Sequence, residues 1–96
     1  NVLLEGVPEG IDVAAVATAL RGINGVKDVH DLHIWALGSD NPAMSAHLVM
    51  DKDRPGFEVR EAAARKLADN FHILHVTLQT ESRDCREGIE DHRIHA

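Results

Sequence analysis

His30, His33, His47 and His75, together with Glu81 and Cys85, are the side chains of this sequence whose types suit chemistry. Imidazole nitrogen, carboxylate oxygen and thiolate sulfur are the donors that a divalent cation such as zinc accepts, about four of them at ~2.0–2.3 Å in a tetrahedron. Histidine is the outstanding feature of the composition, with 7 in 96 residues. No CxxC or HExxH spacing brings ligands together locally, so any shared site must be assembled by the fold. Turnover is poorly provided for. There is no serine or cysteine nucleophile in a recognisable histidine-paired context and no glycine-rich phosphate loop.

The elements that must position these groups follow from the apolar pattern. Val2-Leu3-Leu4 is a short apolar run, an edge strand or a linker end, broken by Gly6 and Pro8. Asp12 is placed to cap a helix over 13–23, where Val13, Val16, Leu20 and Ile23 recur at helical spacing and Gly22 and Gly25 supply the stop. Val26 to Leu37 reads as a strand. Gly38 to Pro42 reads as a turn, and Met44 to Met50 as the returning strand of a hairpin. A second helix over 57–70 carries Val59, Ala62, Ala63, Leu67 and Phe71 on one stripe, and Ile73 to Thr80 reads as a last strand. The order is (β)αββαβ, an α+β sandwich with two helices on one face of a three- or four-stranded sheet. Residues 1–82 form the domain, and 83–96 form a polar tail with no core to join.

Strand side chains alternate between faces. Leu32, Ile34 and Ala36, then Met44, Ala46, Leu48 and Met50, then Leu74, Val76 and Leu78 are expected under the helices. The opposite, open face then carries His33 and Trp35, Ser45, His47 and Val49, and His75, Thr77, Gln79 and Glu81. His30 lies just ahead of the regular stretch, and alternation leaves its direction open. Adjacent strands lie ~4.8 Å apart, so His33 or His30, His47 and Glu81 can converge on one ion. A single histidine on a solvated sheet face is commonly only a surface group; several on one face favour a cation. Cys85 with Glu87, Asp91, His92 and His95 offers a second site, or equally a mobile tail with an incidental thiol. His72 reads as a surface group, and Trp35 beside polar neighbours leans toward a partner contact.

The charge balance, 10 basic against 16 acidic residues, gives −6. That excludes a nucleic-acid backbone as partner and is compatible with attracting cations. One cysteine excludes an internal disulfide. No apolar run approaches the ~20 residues that span a bilayer, so the stretch in hand is expected to be soluble. Beginning at Asn1-Val2-Leu3-Leu4, it reads as a fragment of something longer.

Leu4-Glu5-Gly6-Val7-Pro8, Gly10-Ile11-Asp12, Ile23-Asn24-Gly25-Val26, His30-Asp31-Leu32-His33-Ile34-Trp35, Ser45-Ala46-His47-Leu48-Val49 and His75-Val76-Thr77-Leu78-Gln79-Thr80-Glu81 together resemble the C-terminal cytosolic domain of cation diffusion facilitators. The likeness is to the bacterial CzcD-type exporters of zinc, cobalt and cadmium and to the related animal zinc transporters, and it runs from about residue 2 to residue 85. It implies a ferredoxin-like, metallochaperone-like fold on the cytoplasmic side of the membrane, continuous with a transmembrane part. It implies a V-shaped homodimer that binds Zn2+ (Co2+ or Cd2+ also fitting) near its interface and so favours the transport-competent arrangement. The family's ligands fall on His30, His47 and Glu81. A further family histidine is replaced here by Gln79, and another by Phe57 or a neighbour, which speaks against a copy of the family's two-metal site. His33, His75 and Cys85 stand as substitutes.

Two rival readings share the layout: a small-molecule sensor that binds an amino acid at a dimer interface, and a small zinc hydrolase. The sensor predicts no zinc binding beyond adventitious histidine contact. The hydrolase predicts an open water position on the metal and activity on a model ester.

Overall fold

A computed structural model describes residues 2–3, 8–38, 41–51 and 54–82. The tail with Cys85, Glu87, Asp91, His92 and His95 lies outside the described residues.

Asp12 starts the first helix, α1 (Val13–Arg21), by accepting a hydrogen bond from the backbone N–H of Ala15 at 3.2 Å, which occupies one of the donors that every helix start leaves unpaired. The helix ends two residues earlier than the spacing predicts. Gly22 donates to the Thr18 and Ala19 carbonyls, and Ile23 leaves the helix yet stays buried. Gly25, at φ +100, makes the turn into the next strand. That strand, β2 (Val26–Leu37), pairs antiparallel with β3 (Asn41–Met50), so Asn41 and Pro42 belong to the sheet rather than to the turn. Pro42 is tolerated because β3 meets its other neighbour only from Ala43 onward, so the missing N–H breaks no ladder on that side.

The second helix, α2 (Gly56–Phe71), starts behind Pro55 and stops at His72, which takes the left-handed conformation at φ 58. Arg54 ties its start to the α1–β2 turn by donating from Nη1 to the Asn24 carbonyl at 2.6 Å. The last strand, β4 (His75–Ser82), runs parallel to β3. A short strand, β1 (Val2–Leu3), runs parallel to β2, and the sheet order is β1-β2-β3-β4. The expected α+β layout is the observed one.

The core lies between the helices and one sheet face. Val16 and Leu20 of α1 and Val59, Ala63 and Leu67 of α2 are buried over Leu32, Ile34, Met44, Ala46 and Leu48. Burying a side chain of this size contributes ~1.5–3 kcal/mol, and these residues form one continuous cluster. Val76 and Leu78 pack against it from the edge.

Two expected core positions are corrected. Leu74 is 71% exposed, because β4 begins only at His75 and the residue drawn inward at the helix exit is the fully buried Ile73. Ala36 is exposed as well; it pairs with Pro42 at the hairpin end of the sheet. A third difference concerns β2 itself, which does not alternate cleanly. Its buried positions are Val26, Val29, Leu32 and Ile34, spaced three, three and two apart. The pairing register shifts between Val26 and Asp28 and again between His30 and His33. Each shift places one extra residue on β2, a β-bulge. In the second, Asp31 takes a left-handed φ of 53.

Candidate metal centre

The bulge at Asp31 settles the direction of His30. On β3, His47 and Ser45 are two residues apart and share the open face; their partners on β2, His30 and His33, are three apart. The extra residue brings both histidines onto that face. Four rows then cross the open side of the sheet: Asp28, Val49 and Glu81; His30, His47 and Gln79; His33, Ser45 and Thr77; Trp35, Ala43 and His75. Val49, only 2% exposed, forms an apolar floor between two carboxylate-bearing strands.

Charge concentrates in the first two rows. His47 Nδ1 lies 3.0 Å from Glu81 Oε2 and 3.7 Å from Asp31 Oδ2. His30 Nε2 lies 3.7 Å from Asp28 Oδ2, beyond hydrogen-bond reach, and is buried with no hydrogen-bond partner among the described residues. Asp28 accepts a hydrogen bond from the Val29 N–H at 2.8 Å. That bond, with smaller help from His30 and Arg21, holds the Asp28 carboxyl below its usual value against a partial loss of solvation. Arg21 Nε sits 3.7 Å from Asp28 Oδ1.

The six sequence-nominated residues are thus distributed unevenly. His47 and Glu81 touch, and His30 stands opposite His47. His33 is one row further along. His75, exposed and paired with Ala43, is four residues from Gln79 on the same strand, about 13 Å at the usual strand rise. Cys85 lies outside the described residues. Asp28 and Asp31 were not nominated. Both owe their place to the bulges, and the cue available was the acidic residue flanking His30 on its C-terminal side and the one two positions before it.

A buried imidazole nitrogen with no hydrogen-bond partner among the described residues, beside a carboxylate, and a second imidazole in contact with another carboxylate, make a donor set that fits a divalent cation of the zinc type. Among the described residues no three His, Cys, Asp or Glu side chains stand as a finished ligand shell. His47 neighbours both His30, across the ladder, and Glu81, and closing all three round one ion requires a side-chain turn or a further donor.

The opposite end of the open face carries larger apolar side chains beside His75. Trp35 is 40% exposed, and with Leu37 and Leu74 it borders a shallow cavity of about 420 Å3. No helix among the described residues is long and apolar enough to cross a membrane.

Residues 8–83 match the family described as cation efflux protein, cytoplasmic domain. The chain is 46% identical over 89 residues to the metal cation efflux system protein CzcD of Cupriavidus metallidurans, covering 92% of this chain and 28% of that protein. It is 38% identical over 90 residues to the human proton-coupled zinc antiporter SLC30A2, covering 94% of this chain and 24% of that protein. It therefore spans roughly a quarter of the length of these relatives. Among solved structures, the metal-bound C-terminal domain of the Cupriavidus CzcD transporter superposes with a TM-score of 0.69 at 43% identity, covering 74% of this chain and 99% of that one. The zinc form of CzrB, at 22% identity and a TM-score of 0.68 over 84% of this chain and 96% of that one, shares the fold.

Proposed function

Since this chain belongs to the family of cation efflux protein cytoplasmic domains, we propose that it is the metal-sensing, dimerising part of a divalent-cation exporter, continuous with a transmembrane part that exchanges metal for protons. The observation that carries this reading is the pairing of His30 with His47 on the open face, where His47 contacts Glu81 and the Nε2 of His30 is buried with no hydrogen-bond partner among the described residues. His30, His47 and Glu81 hold the ion, with His33, His75 and Cys85 as the further donors that the sequence offers. Zn2+ is the first expectation for this set; Co2+ and Cd2+ also suit it. That the Cupriavidus domain, 43% identical, is described as metal-bound supports the assignment.

The bound ion supplies positive charge where two acidic chains meet. Each chain carries −6, so two copies repel. A cation on the open face lowers that repulsion, and an ion ligated from both copies adds its binding energy to association. Trp35 extends the same face and offers it an apolar contact. Metal binding in the cytoplasm thereby favours the paired arrangement and, through it, the transport-competent exporter.

Sedimentation equilibrium at tens of micromolar, with zinc and with a chelator, tests this. A dimer tightened by zinc is expected. A monomer in both conditions overturns dimerisation, and an equally tight dimer in both removes the metal from its control.

A further inference from the structure

The metal-binding reading leaves the carboxylate of Asp31 without a role, although the backbone is shaped around it. In a regular strand, position 31 would face the helices, opposite to His30. The bulge instead leaves Asp31 exposed, in a left-handed conformation that L-residues rarely adopt and that Asp and Asn tolerate better than most. Its Oδ2 comes within 3.7 Å of His47 Nδ1, the nitrogen that Glu81 Oε2 reaches at 3.0 Å. One ring nitrogen offers one proton: Glu81 Oε2 lies within its reach, and Asp31 Oδ2, beyond hydrogen-bond distance as it stands, is the next acceptor in line.

A histidine that ligates a metal through one nitrogen directs its other N–H to a carboxylate or carbonyl, which fixes the tautomer and the ring orientation. Glu81 cannot serve His47 in this way and also turn its oxygens to the ion. We infer that Asp31 is the positioning residue of the site: as Glu81 turns to the cation, the Nδ1–H of His47 is handed to Asp31, and Nε2 of His47 is left as the ligand atom. The inference rests on the metal-binding reading and assigns one residue within it. Asp31 acts through His47 and does not touch the ion.

The test uses zinc titration by calorimetry on the 96-residue chain, on His47→Ala, on Asp31→Gly and on Asp31→Asn. Glycine accepts the left-handed backbone and removes only the carboxylate, so the metal-free thermal midpoint of Asp31→Gly should not fall below that of the parent chain. Its zinc affinity should fall by about tenfold or more, the usual cost of losing such an orienting partner. Asp31→Asn, whose amide oxygen still accepts a hydrogen bond, should lie between the two. Nitrogen-15 NMR of the zinc form should show His47 protonated at Nδ1 in the parent chain and a mixture of tautomers in Asp31→Gly. Parent-like affinity and an unchanged His47 signature in both Asp31 variants overturn the inference while His47→Ala still loses zinc. If His47→Ala binds as the parent chain does, the metal-binding reading has failed, and the inference falls with it.

Discussion

His30 faces His47 across the β2–β3 ladder, one imidazole buried at its Nε2 and the other 3.0 Å from one carboxylate and 3.7 Å from a second. The pair is expected to act as a unit toward a cation, and this gives the first prediction. His47→Ala should weaken zinc binding by tenfold or more, the loss of a ligand being at least as costly as the loss of an orienting partner. His72→Gly should leave it unchanged, because His72 caps α2 and belongs to none of the open-face rows. Isothermal titration of both variants checks this, and equal affinities would remove His47 from the ligand set.

His72→Gly should also raise stability. His72 holds φ 58, and glycine relieves the crowding of a side chain in the left-handed region, by about 1 kcal/mol. Urea midpoints at fixed slope read the change directly; a lower midpoint would show that the imidazole makes a compensating interaction.

Ile73 and Leu74 are sequence neighbours with opposite fates. Ile73 is fully buried and Leu74 is 71% exposed. Ile73→Ala should cost about 2–5 kcal/mol, from lost burial and the cavity left behind. Leu74→Ala should stay within about 0.5 kcal/mol, as surface changes do. Denaturant unfolding of the two variants separates them, and comparable losses would place Leu74 in the core after all.

Gly56→Ala should loosen the start of α2. A Cβ there would meet Thr80 Oγ1 at 2.7 Å, the same oxygen that accepts from Arg60 Nη1 at 3.0 Å. Thr80 must turn, and the Arg60 bond is lost with it. Thermal unfolding should show a lower midpoint, and Gly56→Ala should lower it less when Thr80 is already alanine, because neither the clash nor the Arg60 bond is then present to be changed. An equal loss in both backgrounds would mean that the clash is not with Thr80.

Asp28 gives the acid-side prediction. Its carboxyl titrates below the ordinary range because the charged form accepts the Val29 N–H. A depressed native value means that the unfolded chain binds the extra proton first, so stability rises with pH through that interval. The contribution is fully present above the ordinary carboxylate range and lost as pH falls through the depressed native value. Asp28→Asn should therefore be less stable than the parent chain at neutral pH, and the difference should vanish in strong acid. The carboxylate is partly exposed, so the effect is modest. A difference that is constant with pH would assign it to packing rather than charge.

Much of this arrangement can be read from the chain. Asp12 announces a helix start, Val16, Leu20, Val59, Ala63 and Leu67 repeat at helical spacing, and Met44, Ala46 and Leu48 alternate along β3. These signals are local and periodic, and the structure follows them. What resists reading is where the period breaks. Nothing in Lys27 or Asp31 marks a bulge, because the signal is a mismatch between two strands rather than a property of either. The directions of Asp28 and His30 depended on that mismatch. Leu74 and Ala36 misled for a related reason: alternation assigns a face but not the length over which the helices cover it.

The bulge at Asp31 is also the place where β2 can lose a residue without turning over. Deleting Asp31 would leave His30 and His33 two apart, matching His47 and Ser45 on β3, so Val29 and Leu32 would stay over the core and Asp28 and His30 on the open face. Only the exposed carboxylate and the left-handed residue would go. Deleting a residue from the regular stretch between Leu32 and Ile34 has the opposite effect: the segment on one side of the cut changes face relative to the other. Drift in chain length is therefore tolerated at the bulge and forbidden a few residues further along the same strand.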